Sequence, residues 1–167
     1  MRGVRRSGSR GRGRLCANRP IGAVRAEGAV MKYLVMVRGT QEDYDAQSGK
    51  GAPDGPTWTD EDLQIMYAYM GAINAELAET GEFLDANGLA EPAQIRHVSA
   101  GRDGGVVIAD GPYGETEELM AGYWLLECAS LERVTEIAAR VTRCPVPDGV
   151  PPRPVEIRPV LDGAGDL

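Results

Sequence analysis

The balance of charge along the chain reverses at Met31. The first thirty residues hold eight arginines and one acidic residue, Glu27; the remaining 137 hold ten basic and twenty-four acidic residues. The leading segment is rich in Gly and Arg and has no hydrophobic period, so it has too little apolar surface to offset the entropy of ordering, and disorder is predicted there. Three readings fit it. One is a nucleic-acid-binding arm whose arginines meet phosphates. Another is a targeting signal, since Arg5-Arg6 has a twin-arginine look, although no apolar h-region follows. The third is a mis-assigned upstream extension, with translation starting at Met31. The abrupt change favours the third. Residues 31–160 then make the folded domain and 161–167 a short tail.

Within that domain the period of the apolar residues assigns the elements. Tyr33, Val35 and Val37 alternate with Lys32, Leu34, Met36 and Arg38, which predicts a strand covered on both faces and ended by Gly39. Residues 40–58 have no period and read as a long acidic loop. Thr59 and Asp62 stand at capping-box spacing, and Leu63, Met66, Tyr67, Met70, Ile73, Asn74 and Leu77 share a face, so a helix is predicted over 60–80, interrupted only by Asn74. Gly81 stops it.

Strands dominate the next stretch. A short extended piece at 82–85 runs into Ala86-Asn87-Gly88, a turn signal. Residues 94–100 and 105–110 flank Gly101-Arg102-Asp103-Gly104 and predict a hairpin. After a polar loop at 111–119, residues 121–128 form the most apolar strand. Ser130 caps a second helix with Leu131, Val134, Ala138 and Val141 on one face, halted by Pro145. A Pro-rich loop leads to a last strand at 155–160, where Pro159 predicts an edge position.

The order strand, helix, strands, strand, helix, strand describes an α+β domain, a ferredoxin-like split βαβ with an added β-hairpin. Two helices cover only one sheet face. A second copy is the natural cover for the other, so a homodimer is expected.

Several separated stretches carry a resemblance: MKYLVMV from Met31, the run Asp110-Gly111-Pro112-Tyr113-Gly114-Glu115-Thr116-Glu117-Glu118, then Gly122-Tyr123-Trp124-Leu125-Leu126, and Val155 to Val160. Together they resemble the YCII-related family, and more narrowly its DGPF-domain branch. The resemblance implies a dimeric, ferredoxin-like α/β barrel; such proteins are often encoded beside extracytoplasmic-function sigma factors, and some carry labels connected with transcription initiation. It departs from the pattern at Tyr113, in place of Phe, and at Glu117, in place of Lys. The wider family is proposed to use a helix histidine paired with an Asp. Spacing back from Gly81 puts Met70 near that place, so the dyad does not carry over.

Asp110, Tyr113, Glu115, Glu118 and Tyr123 are the candidate ligand-binding residues, all on or beside the signature loop. Paired carboxylates suit general acid/base work when one is desolvated, whereas Asp110 before a Gly-Pro turn equally suits a structural anchor. The structural role is the expectation for Asp110, with Glu115 and Glu118 facing a ligand. No catalytic residue is singled out, and no metal or cofactor is implied: the D-x-D-x-D spacing of a calcium loop is missing, and three cysteines with one histidine are too few for a zinc site of that type. His97 reads as an exposed strand residue, Cys128 as core, and Cys144 as the more exposed thiol. Tyr67, Tyr69, Tyr123 and Trp124 read as core between helix and sheet. No run reaches the length of a membrane-spanning helix, and a cytoplasmic location is expected. Two functions remain: a dimeric protein that binds, and in one version transforms, a small molecule near 110–118, or a non-catalytic partner of a sigma factor. The acidic body disfavours direct nucleic-acid binding by the domain.

Overall fold

The computed structural model describes residues 30–102, 104–111 and 118–161. They form a mixed α+β domain of antiparallel sheets and three α-helices. The expectations for the basic leader, the tail beyond Leu161, Tyr113 and Glu115 lie outside the described residues. No helix among the described residues is long and apolar enough to cross a membrane.

Strand β1 (Met31–Gly39) is central, paired on one side with β5 (Leu119–Cys128) and on the other with β6 (Val155–Pro159), while β2 (Phe83–Gly88) pairs with the far edge of β5. The order is β2-β5-β1-β6, and all three pairings are antiparallel. Pro159 sits at the end of an edge strand, where its missing N–H costs no ladder bond.

Helices α2 (Asp60–Glu79) and α3 (Leu131–Val141) bury their apolar stripes against the face of the sheet that shows Tyr33, Val35, Trp124, Leu126 and Cys128. Ile73 and Leu77 meet Val134, Ile137, Ala138 and Val141 in one core. The polar break in the α2 stripe has a partner: Trp124 Nε1 donates to Asn74 Oδ1 at 2.6 Å, so the buried indole N–H is satisfied. Tyr69 Oη donates to the Arg140 carbonyl at 2.9 Å, and Arg140 returns a bidentate pair to Glu76, which fixes the two helices against each other.

The structure corrects five expectations. Residues 40–58 are not all loop, because helix α1 (Gln41–Gln47) starts at Thr40, whose side chain accepts from Asp43 N while Asp43 accepts from Thr40 N at 2.8 Å. Ala86-Asn87-Gly88 is no turn; it continues β2 in register with Trp124, Tyr123 and Gly122. At Gly122 an added Cβ would come within 3.1 Å of the Asn87 carbonyl, so a side chain there would press the two strands apart by a few tenths of an ångström. In α3 Ile137 takes the buried place, and Leu131 is 54% exposed at the first turn. Tyr67 is 65% exposed rather than core. Last, Gln94 belongs to a short 3-10 turn (Pro92–Gln94), so the first hairpin arm begins later than expected.

The hairpin pairs β3 (Arg96–Ala100) with β4 (Val106–Asp110) in a two-stranded sheet of its own. Gly104 adopts φ +81° in the connection, a conformation that glycine takes without steric cost.

Candidate functional site

Where β1 leaves the sheet, a cavity of about 600 Å³ opens between α1, the first half of α2 and the Pro-rich loop before β6. Its walls are mainly apolar, including Ala46, Met66, Met70, Val141, Val146 and Val155, with Trp58 and Tyr67 among the aromatic lining. Size and lining both suit a small organic molecule, since such sites run to about 300–1,000 Å³. The helix that builds one wall is α1, the element that the absence of period concealed.

Two arginines organise the cavity's polar side. The β1–β5 register shifts between Val37 and Arg38, a bulge of the kind that re-aims a side chain. Arg38 donates from Nε and Nη2 to the Glu156 carboxylate at 2.8 and 3.2 Å, and from Nη1 to the Glu118 carbonyl at 2.9 Å. The Glu156 hydrogen bond and charge push the Arg38 pKa up from its ordinary value. Arg153, from the Pro-rich loop, donates Nε to Asp43 Oδ2 at 3.0 Å, and its Nη1 meets the Glu118 carboxylate. Asp43 thus serves twice, capping α1 and holding Arg153. Glu118 is gripped at both its carbonyl and its carboxylate.

The predicted site residues therefore separate. Glu118 reaches the cavity's polar edge through Arg153, a lining residue. Asp110 instead accepts from Arg96 Nε at 2.7 Å across the base of the hairpin, with the two side chains 69% and 65% exposed. Tyr123 alternates with the buried Trp124 and so faces the opposite side of the sheet, where its hydroxyl donates to Asp85 at 2.8 Å and accepts from Asn87 at 3.2 Å.

Neither described thiol is set up as a nucleophile. Cys144 lines the cavity, but burial pushes its pKa up; Cys128 is buried in the core and pushed up to about 11, first by desolvation and then by Glu82. Tyr44 lines the cavity with its hydroxyl donating to the Leu89 carbonyl at 2.9 Å, and burial raises its pKa. His97 stands in β3 opposite Ala109, away from the cavity lining. Among the described residues no group of three or more His, Cys, Asp or Glu side chains is placed to hold a metal ion.

Sequence reasoning missed Arg38, Asp43 and Arg153. One signal was present: Thr40 and Asp43 repeat the T-x-x-D spacing of Thr59 and Asp62, which marked α2. Met70 was placed by spacing alone. It lines the cavity, and a thioether cannot move a proton.

Comparison with known proteins gives two results. The family described as YCII-related domain matches residues 31–150. An uncharacterised protein of Rhizobium meliloti (strain 1021) is 30% identical over 84 residues, which cover 48% of this chain and 64% of that protein. The match thus spans somewhat under two thirds of that relative's length.

Proposed function

We propose that this chain, which belongs to the YCII-related domain family, binds a small and largely apolar molecule in the cavity beside Glu118. The observation that carries the reading is an apolar space of about 600 Å³ whose polar edge is tied, through Arg38 and Arg153, to the last residue of the signature stretch. Burial raises the pKa of the cavity's thiol, which disfavours a thiolate nucleophile, and the helix wall offers Met70, so binding is the reading these residues support. Thermal-shift screening of the full chain against a fragment set tests it. Hits are expected, and they should disappear in Met70→Trp and in Val146→Trp, which fill the space from α2 and from the Pro-rich loop. Hits that survive both substitutions would place binding elsewhere and overturn the reading.

The same proposal includes a ferredoxin-like split βαβ that closes as a homodimer. The strand order and the helices on one face support it. The opposite face carries the cross-strand pairs Leu34 with Leu125 and Met36 with Tyr123, and the hairpin adds Val98, Val106 and Ile108, each at least 60% exposed. Met36 is buried and Leu34, Leu125 and Tyr123 are half-buried within the single chain, so the apolar surface left in water here is that of the hairpin residues. Size exclusion with light scattering at micromolar concentration should give twice 17.9 kDa; a clean monomer would contradict the dimer.

A further inference from the structure

Charge decides which small molecules such a cavity accepts. Two guanidinium groups in an apolar wall would ordinarily point to a carboxylate or phosphate ligand. Here both are already taken. Arg38 spends two N–H groups on Glu156 and one on the Glu118 carbonyl, and Arg153 is divided between Asp43 and Glu118. An incoming anion would have to displace one of these carboxylates or lie beside them.

The remaining charges tilt the same way. Glu42, Asp43 and Asp45 line the cavity along with Arg38, Arg153 and Lys50, and Glu118 and Glu156 stand directly behind the arginines. Three carboxylates and three cations line the cavity, but Arg38 and Arg153 are neutralised by Glu156, Asp43 and Glu118, which leaves Glu42 and Asp45 against Lys50 among the described lining residues. Trp58, Tyr67 and Tyr44 belong to the same lining. Aromatic rings and carboxylates without a cation partner both favour a cation over an anion.

We propose that the cavity selects an apolar amine over the corresponding carboxylate, the apolar body lying against Met66, Met70 and Val141 and the ammonium group at the rim made by α1. This rests on the proposed binding role of the cavity. It adds the class of ligand, and it makes Glu42 and Asp45 the residues that set specificity.

Three molecules with one indole body separate the possibilities: tryptamine, tryptophol and indole-3-propionate, titrated calorimetrically into the full chain at neutral pH. Tryptamine is expected to bind at least about tenfold more tightly than indole-3-propionate, about 1.4 kcal/mol, with tryptophol between. Raising the salt from about 0.05 to 0.5 M should narrow that ratio, because the rim charges are solvent-screened. Replacing both rim carboxylates (E42Q with D45N) should bring tryptamine to the affinity of tryptophol and leave tryptophol unchanged. Equal binding of all three, or tighter binding of the acid, would overturn the amine preference while leaving the cavity reading intact. Binding of none, or binding that persists in Met70→Trp, would overturn both.

Discussion

Asp110 and Glu118 stand at the two ends of residues 110–118 and each meets an arginine, yet their surroundings differ. Asp110 pairs with Arg96 across a two-stranded hairpin, in water on most sides. Glu118 is held by Arg153 and Arg38, which come from a Pro-rich loop and from a bulge in the central strand, beside a mainly apolar cavity. The first contact joins residues 14 apart; the second joins residues 35 and 80 apart. A local exposed pair trims the edge of a hairpin, whereas a pair between distant segments fixes where those segments sit. Only the second is placed to shape a site.

A third pair sets the upper end of this comparison. Arg133 grips Glu82 with bonds of 2.8 and 2.7 Å, and the Glu82 side chain is only 15% exposed. Arg133→Ala should cost about 2 kcal/mol in chemical denaturation, less than the loss of a fully buried pair because the guanidinium is partly solvated. The pair also makes a pH prediction. Chiefly through Arg133, the Glu82 carboxyl is held below its ordinary pKa. Its contribution is complete above the unfolded carboxylate pKa and is lost as pH falls through the lower folded value. Parent and variant should therefore converge in stability under acid conditions. A constant gap down to low pH would show that packing, not the ion pair, carries the difference.

The Arg153 contact comes next. Arg153→Ala should destabilise by about 1.5 kcal/mol, between the ranges for exposed and buried pairs, since its own side chain is 24% exposed. It should also loosen the cavity, visible as faster amide exchange in α1, where Asp43 loses its long-range partner. Unchanged exchange in α1 would separate the pair from the cavity wall.

The smallest effect belongs to the hairpin. Asp110→Ala should cost about 0.5 kcal/mol, and less at high salt, because both partners are more than half exposed. A loss above about 2 kcal/mol would mean that Asp110 anchors more than the hairpin base.

The contrast also explains what could be read in the sequence. The sheet and the two long helices announce themselves through period, because each must bury a stripe: Ile73 and Leu77 on α2, Val134, Ala138 and Val141 on α3. The hairpin was legible from its turn residues. Helix α1 was not, because it has seven residues and buries only Ala46, so it leaves no period; its capping residues were its sole mark. Asn87-Gly88 reads as a turn in isolation and is instead held straight by the Tyr123 hydroxyl and the close approach of Gly122. Of the candidate site, Glu118 was reached through its motif. Arg38, Asp43 and Arg153 are 110 residues or more apart at their extremes and converge only when α1 and the Pro-rich loop fold over the end of the sheet. No spacing in the chain encodes that convergence.

Under the proposed binding role, the Glu118 end of residues 110–118 serves the cavity and the Asp110 end does not. The most direct test is the affinity of the full chain for tryptamine, measured calorimetrically for parent, Glu118→Gln and Asp110→Asn, each of which removes one negative charge. Glu118→Gln should weaken binding about fivefold or more, while Asp110→Asn should match the parent within error. Equal losses in the two variants, or a loss confined to Asp110→Asn, would contradict the account.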